Sequence, residues 1–205
     1  MRKIFVTGIG TEVGKTVVSA ILTEALKADY WKPVQAGQLD NTDTMKVQQL
    51  VSNQVSKFHP ESYCLSQFMS PHAGAVIDNI EIDLSKIQLP NTKNTLIIEG
   101  AGGLMVPLND NQLVIDLIKH LEPEVVLVSQ NYLGSINHTI LSVEALLSRK
   151  IDVLGIIFNG KPNKPTEDFI LNHTGLKCLG RIMEEREINK EVVFKYAQEF
   201  KDLLK

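Results

Sequence analysis

A glycine-rich stretch near the start of the chain has the residue types of a phosphate-binding loop. It follows an apolar run and contains Gly8, Gly10 and Gly14, with Lys15 and Thr16 directly after the last glycine. Backbone N–H groups can approach phosphate oxygens closely only where a Cβ neither blocks them nor forbids the required φ, which explains the glycines. A helix that begins at about Thr16 would direct its dipole at the same phosphates. The Lys15 ammonium would then reach the β- and γ-phosphates, and the Thr16 hydroxyl would bind Mg²⁺.

The spacing of this stretch differs by one residue from the common phosphate-loop pattern, because five residues rather than four separate Gly8 from Gly14. The alternative is a tight strand-to-helix turn that contains Gly-Lys-Thr by coincidence. An apolar strand before the turn and helix-compatible residues 17–26 after it favour a nucleotide site.

Three further residues could take part in the same chemistry. Glu99 ends an apolar run and precedes small residues, where phosphate-loop proteins commonly carry an acidic group that acts on the metal; the alternative is a capping carboxylate. Asp43 opens a helix-like segment, so it could be an N-cap or a metal ligand. Lys32 lies at the end of an apolar strand, where a buried lysine needs an anionic partner such as a phosphate oxygen. Its alternative is a side chain that extends from the strand end to water.

The dipeptide Asn159-Gly160 follows another apolar run. It could form a simple turn, or its asparagine could hydrogen-bond an adenine edge. Residues 163–166 partly match the guanine-binding Asn-Lys-x-Asp motif, but Thr166 replaces the aspartate. That replacement weakens a GTPase interpretation.

Composition limits the classes of protein that fit. A chain of 205 residues suffices for one α/β domain, which we expect to comprise residues 1–205. Its net charge of −3 argues against nucleic-acid binding. Cys64 and Cys178, expected in a loop and a strand, are far apart and lack metal-ligand spacing, so we expect two reduced thiols. No apolar run is long enough to span a bilayer, and we expect a soluble cytoplasmic protein with no membrane partner.

Hydrophobic patterning predicts an α/β fold with a doubly wound, mainly parallel sheet and flanking helices, as in P-loop NTPases. Most of the expected strands are continuous apolar runs, which suit strands covered on both faces. They are expected at 3–7, 30–34, 95–99, 124–129, 153–158 and, more weakly, 177–182; helices are expected at 16–28, 43–52, 112–120, 135–148, 165–173 and 189–204. Residues 53–92 are expected to form loops and a short helix. The glycine-rich and polar residues named above follow strands, where such sheets bind ligands.

Seven segments together closely resemble the dethiobiotin synthetase family. They are GIGTEVGKT at 8–16, WKPVQAG at 31–37, NTD at 41–43, SPHA at 70–73, EGAGGLMVPL at 99–108, LGSINH at 133–138 and FNG at 158–160. The resemblance runs from about Ile4 to Gly160, includes the family's own long spacing of the phosphate loop, and fades beyond Gly180.

The resemblance implies an ATP-dependent cyclo-ligase of biotin synthesis that converts 7,8-diaminononanoate, CO₂ and MgATP to dethiobiotin, ADP and phosphate. One amine takes up CO₂ as a carbamate, the carbamate attacks the γ-phosphoryl group, and the second amine closes the ureido ring by displacing phosphate. Mg²⁺ as cofactor, ATP as co-substrate and a homodimer with sites shared across the interface are likewise implied.

The same resemblance assigns roles to residues of the quoted motifs. Lys15 and Lys32 would be catalytic, and Thr16, Asp43 and Glu99 would hold Mg²⁺. The ATP-binding residues would be Thr11, Glu12, Val13, Gly14, Lys15, Thr16, Val17, Asp43, Glu99, Gly100, Ala101, Gly102, Asn159 and Gly160. The substrate-binding residues would be Lys32, Gln35 and Ser70, with Gly134, Ser135 and Asn137 from the partner subunit.

Two other classes of protein fit parts of the pattern. A ParA- or MinD-like regulatory ATPase has a related fold, but its phosphate loop carries an additional lysine where this chain has Gly10, Thr11 and Glu12. Ligases that act on cobyrinic acid generally carry a glutamine-hydrolysing domain, for which 205 residues leave no room. The regulatory ATPase is therefore the alternative function.

Overall fold

Nine strands and seven α-helices make up the part of the chain that the computed structural model describes, residues 1–202. The strands are Lys3–Gly8 (β1), Asp29–Trp31 (β2), Val34–Ala36 (β3), Phe58–His59 (β4), Tyr63–Leu65 (β5), Leu96–Gly103 (β6), Glu124–Gln130 (β7), Val153–Asn159 (β8) and Cys178–Ile182 (β9). The helices are Lys15–Leu26 (α1), Asp43–Leu50 (α2), Pro71–Ile77 (α3), Val114–Leu121 (α4), Ser135–Ser148 (α5), Lys164–Thr174 (α6) and Lys190–Phe200 (α7).

Seven of the strands form one parallel sheet in the order β4-β2-β6-β1-β7-β8-β9. The central strand, β1, pairs with β6 on one side and β7 on the other. The chain first builds the half of the sheet that contains β2 and then crosses to β7, so the strand order reverses beside β1. Ligands bind at such a reversal in open parallel sheets. The predicted fold class is confirmed.

Helices cover both faces of this sheet. Along β7, Val126 and Val128 pack on one face in a cluster with residues of α1 and α7, whereas Val125 and Leu127 pack on the other face with residues of α4, α5 and α6. Successive side chains of a strand point to opposite faces, so a strand covered on both faces must be apolar at every position. This is the physical reason for the continuous apolar runs.

The predicted strand at 30–34 is wrong in its extent. It is two strands, because β2 ends at Trp31 in the main sheet and β3 begins at Val34 in a separate two-stranded sheet with β5. Pro33 lies between them, has no N–H to donate to a ladder, and accepts hydrogen bonds from the N–H groups of Ser62 and Tyr63.

Smaller differences concern the ends of elements and one cysteine. Cys64 lies in β5 rather than in a loop, and both cysteines are exposed free thiols. The helix expected at 112–120 begins at Val114, since the Asp116 side chain accepts from the Leu113 N–H and caps the turn before it. The last helix ends at Phe200; residues 203 and 204 of the predicted helix lie outside the described residues. Within residues 1–202, the helices are all too short or too polar to cross a membrane.

Candidate nucleotide and substrate site

A cleft of about 540 Å³ lies at the carboxyl ends of β1 and β6, beside the start of α1. Most of the predicted nucleotide- and substrate-binding residues line it, although they come from distant parts of the sequence. They are Thr11, Glu12, Gly14, Lys15, Thr16, Val17, Lys32, Gln35, Asp43, Ser70, Glu99, Ala101 and Gly102.

Backbone geometry explains two of the three glycines in the phosphate loop. A Cβ on Gly8 would lie 2.4 Å from a methyl carbon of Val13, and Gly14 has a φ of +97°, which L side chains rarely adopt. The expectation for Gly10 finds no such support, because no described atom lies within 4 Å of a Cβ built there. Glu12 also has a positive φ, 58°, an uncommon conformation for a residue with a side chain.

Lys15 directs its ammonium into the cleft and is itself mostly buried. Its Nζ donates to the Gly10 carbonyl over 2.8 Å. Burial, followed by the nearby ammonium of Lys32, lowers the pKa of Lys15 to about 8, although Glu99 and Asp43 act in the opposite direction. Two cationic groups that disfavour each other in this way create a site where an anion is stabilising.

Glu99 connects the metal-binding candidates to the lysines. The side chain is buried, and its Oε1 accepts from the Thr16 hydroxyl over 2.9 Å and from Lys32 Nζ over 3.1 Å. Its Oε2 accepts from the Tyr30 hydroxyl over 2.9 Å. The partners are side chains of α1, of β2 and of the residue that follows β2. This does not fit the capping alternative, in which a carboxylate accepts from the N–H groups of a helix start.

Lys32 lies between two carboxylates in the interior of the site. Its Nζ is 2.8 Å from Oδ2 of Asp43 and 3.1 Å from Oε1 of Glu99, and it donates to the Gly100 carbonyl over 3.4 Å. Burial alone would lower the pKa of Lys32, but the charges of Glu99 and Asp43 and their hydrogen bonds outweigh it, and the pKa is raised. The alternative of a side chain extending to water is wrong, since the residue is only 4% exposed.

Asp43 is the first residue of α2 and not its N-cap. The cap is Thr42, whose hydroxyl accepts from the Met45 N–H over 3.2 Å. The Asp43 carboxylate instead pairs with Lys32 and, at 3.2 Å, with Lys46. Burial would raise its pKa, but Lys32 first and then Lys46 lower it. Asp43 therefore stays ionised, as a metal ligand or a lysine partner must.

The side chain of Gln35, which is predicted to bind substrate, makes hydrogen bonds within the chain at both ends of its amide. Its Oε1 accepts from the Asp43 N–H over 3.2 Å and its Nε2 donates to the Gly37 carbonyl over 2.9 Å. The side chain thereby joins β3 to the start of α2, which fixes where the Asp43 carboxylate lies.

Comparison with known proteins assigns the family. A family model described as an AAA domain matches residues 2–192. The ATP-dependent dethiobiotin synthetase BioD of Christiangramia forsetii is 55% identical over 203 residues, covering 99% of this chain and 98% of that protein. The ATP-dependent dethiobiotin synthetase BioD of Cytophaga hutchinsonii is 55% identical over 198 residues, with 96% of both chains covered. The chain belongs to the ATP-dependent dethiobiotin synthetase family.

Two solved structures share the fold of this chain. The septum site-determining protein MinD of Pyrococcus horikoshii, complexed with Mg-ADP, aligns with a TM-score of 0.65 at 16% identity over 98% of this chain and 96% of that chain. A ParA family ATPase of Chlorobium tepidum aligns with a TM-score of 0.59 at 12% identity over 96% and 98%. Identities this low show the common fold and nothing about the reaction.

The predicted adenine contact, Asn159, lies outside the cleft lining, at the end of β8. Asn159 donates from Nδ2 to the Val13 carbonyl over 3.0 Å, and a Cβ on Gly14 would lie 2.3 Å from the same nitrogen. Asn159 therefore packs against the phosphate loop and holds it through this hydrogen bond, and Gly160 is the next residue in the chain. Val13 and Gly100 are also outside the cleft lining; Val13 is buried, and Gly100 contributes its carbonyl to Lys32.

The segment predicted to bind the substrate carboxylate, residues 134–137, does not line the cleft of its own chain. Gly134 and Asn137 are exposed at the start of α5. Ser135 is buried, and its N–H donates to the Tyr132 carbonyl over 3.0 Å. His138 beside them hydrogen-bonds through Nδ1 to the Tyr132 hydroxyl over 2.8 Å.

Some residues of the site were not predicted from the sequence. The Tyr30 hydroxyl donates to Glu99. Burial, together with the charges of Glu99 and Asp43, raises the pKa of the Tyr30 phenol, so the hydroxyl stays protonated. Alternation along the strand predicted at 30–34 could have indicated it, because residues 30 and 32 are two apart and face the same side of an extended chain. The other unpredicted residues line the cleft: Ala36, Gln38, Lys46, Phe68, Met69, Pro71 and Val106.

The donor atoms of Thr16, Glu99 and Asp43 suit Mg²⁺. They are one hydroxyl and two carboxylates, and Mg²⁺ prefers oxygen ligands, keeps several waters and takes others from nucleotide phosphates. The Thr16 hydroxyl and a Glu99 oxygen already lie 2.9 Å apart, and Lys32 joins Glu99 to Asp43. No cluster of three or more His, Cys, Asp or Glu side chains suited to a metal occurs in residues 1–202.

Proposed function

We propose that this chain is an ATP-dependent cyclo-ligase that converts 7,8-diaminononanoate and CO₂ to dethiobiotin, with ADP and phosphate as the other products. The observation that carries this conclusion is the pair of buried lysines, Lys15 and Lys32, held with Glu99 and Asp43 in one cleft at the phosphate loop. Relatives with the synthetase name that are 55% identical along nearly the whole chain support it.

The reaction needs positioned charge rather than a protein nucleophile. One amine of the diamine adds to CO₂ and loses a proton, which gives a carbamate. A carbamate oxygen attacks the γ-phosphorus of ATP, ADP leaves, and a carbamic-phosphoric anhydride forms. The second amine then attacks the carbonyl carbon, and phosphate leaves as the ureido ring closes. Lys15 and Lys32 stabilise the negative charges on carbamate and γ-phosphate as these approach each other.

We propose that Thr16, Asp43 and Glu99 hold Mg²⁺. Bound there, the ion would neutralise charge on the nucleotide phosphates. Lys32 contacts both carboxylates, so the same residues that would hold the metal also keep the Lys32 ammonium charged and oriented.

ATP would bind along the phosphate loop. We propose that its phosphates contact the phosphate loop and the start of α1, that the end of β6 lies on the opposite side, and that Asn159 and Gly160 contact the adenine. The proposed contacts are Thr11, Glu12, Val13, Gly14, Lys15, Thr16, Val17, Asp43, Glu99, Gly100, Ala101, Gly102, Asn159 and Gly160. We further propose that residues 1–205 act as one P-loop ATPase-like domain in the cytoplasm.

The substrate would extend from Lys32, Gln35 and Ser70 toward a second subunit. We propose a homodimer in which Gly134, Ser135 and Asn137 of the partner subunit bind the substrate carboxylate. The first four N–H groups of a helix have no intrahelical acceptor. In α5 those of Ser135 and His138 bond to the carbonyls of Tyr132 and Gly134, so the N–H groups of residues 136 and 137 would hold the carboxylate.

The formation of dethiobiotin and the position of the bicarbonate carbon in it test this function together. The purified protein should be incubated with 7,8-diaminononanoate, isotopically labelled bicarbonate and MgATP, and the products analysed by mass spectrometry. We expect dethiobiotin that carries the label in its ureido carbonyl. ATP hydrolysis without a labelled product would instead support the regulatory ATPase.

A further inference from the structure

Tyr30 is a partner of Glu99 that lies outside every motif quoted above. Its hydroxyl donates to Oε2 of Glu99 over 2.9 Å, and the residue is fully buried. The other oxygen, Oε1, accepts from Thr16 and Lys32 over 2.9 and 3.1 Å. Thr16 and Lys32 line the cleft whereas Tyr30 does not. The two oxygens of one carboxylate therefore face different surroundings, one toward the site and one toward the interior.

We propose that Tyr30 is a positioning residue that fixes the Glu99 carboxylate with Oε1 toward the metal and nucleotide. The last torsion of a glutamate side chain is broad, so a carboxylate keeps one orientation only where something holds it. A hydrogen bond to an ionised group is stronger than a neutral one, and more so in a buried site. The proposal rests on the proposed function in one respect, the assignment of Glu99 to the metal.

The packing of Tyr30 makes the role of its hydroxyl separable from that of its ring. The ring lies 6.3 Å from that of Phe58, centroid to centroid, and belongs to the core cluster beneath α1. In the sheet, Tyr30 pairs with Ile97 of β6. Phenylalanine would keep these contacts and remove only the donor to Glu99. A purely structural role for the hydroxyl would lower stability and leave metal binding unchanged.

Calorimetric titration of ADP tests the proposal, with Mg²⁺ present in one series and EDTA in the other. For Tyr30→Phe we expect ADP binding in Mg²⁺ to weaken roughly tenfold or more, as for the loss of a hydrogen bond to a charged group, and binding in EDTA to equal that of wild type. Tyr63→Phe is the matched control, since its hydroxyl contacts the backbone of Asp83 outside the cleft. If Mg²⁺ changes the affinity for ADP by the same factor in Tyr30→Phe and in wild type, the proposal is wrong.

A double-mutant cycle shows whether Tyr30 acts through Glu99. In a Glu99→Gln background, Tyr30→Phe should cause no further loss of Mg²⁺-dependent ADP binding; an additional tenfold loss would mean that Tyr30 acts by another route. Tyr30→Met, an adaptable apolar replacement, takes the place of Tyr30→Phe if the latter does not fold. Dethiobiotin formation by wild type is a separate measurement. Its absence would refute the proposed function, while the ADP titration alone decides the role of Tyr30.

Discussion

The two ends of the proposed site differ in how much one chain supplies. At the phosphate end, Lys15, Lys32 and Glu99 are buried and hydrogen-bonded within the chain. At the start of α5, Gly134 and Asn137 are exposed and outside the cleft. Buried charges are costly unless paired, so the phosphate end must be assembled by the fold itself, whereas water satisfies an exposed helix end until something covers it. Substitutions at the first end should therefore affect turnover, and also stability where they break an ion pair, whereas those at the second should affect substrate binding.

Replacing Lys32 should have the largest effect. Lys32→Ala leaves Glu99 and Asp43 without their common cation, and removing one member of a buried ion pair costs about 3–5 kcal/mol of unfolding free energy. Urea denaturation measures this loss, and dethiobiotin formation should disappear as well. Lys46→Ala is the matched control, because Lys46 also pairs with Asp43 but its side chain is 32% exposed, and we expect a change below about 1 kcal/mol. Equal effects would contradict the description of a buried network around Lys32.

Replacing Lys15 should separate turnover from stability. Lys15→Ala removes an ammonium whose protein partner is a single carbonyl, that of Gly10, so the fold should tolerate it. Turnover should fall by about 10²-fold or more, as when one charge-stabilising donor is removed from an active site. Steady-state rates and thermal unfolding of the same preparation check both parts. Near-normal turnover would refute the assignment of the phosphate loop.

Subunit mixing tests whether the two ends come from different chains. An inactive Lys15→Ala protein mixed with an inactive Asn137→Asp protein should regain activity, because mixed dimers would contain one site with both ends intact. With random exchange about half of the dimers are mixed, so activity should reach at most about a quarter of wild type. Subunit exchange, followed by mass spectrometry of tagged chains, is the control. Exchange without any activity would mean that the carboxylate is bound within one chain.

The smallest effect on stability is expected at Asn137. Asn137→Ala changes an exposed side chain, and such substitutions usually alter unfolding free energy by less than about 0.5 kcal/mol. The KM for 7,8-diaminononanoate should rise while the KM for ATP stays unchanged. A rise in the KM for ATP alone would mean that Asn137 acts at the phosphate end of the site, which would contradict this prediction.

The phosphate end could be predicted from the sequence because its residues stand in contiguous motifs. Tyr30 was not predicted, since its hydroxyl meets Glu99 only after β2 and β6 pair. Likewise, Phe68 reaches the cleft through a contact with Gly37, where a Cβ would lie 2.6 Å from the Phe68 backbone and φ is +69°. Such contacts join residues far apart in sequence; for Tyr30 the only local sign was its spacing of two residues from Lys32. Pro33, by contrast, was a visible reason to divide the strand predicted at 30–34.

The coupling of ADP release to dethiobiotin formation tests the central claim most directly. Both products should be measured in one reaction with MgATP and bicarbonate, with and without 7,8-diaminononanoate. If Lys15 and Lys32 act on a substrate carbamate, one ADP should form for each dethiobiotin, and ADP release should cease when the diamine is left out. ADP release at the same rate without the diamine would show that the protein hydrolyses ATP independently of this substrate, and would contradict the cyclo-ligase function.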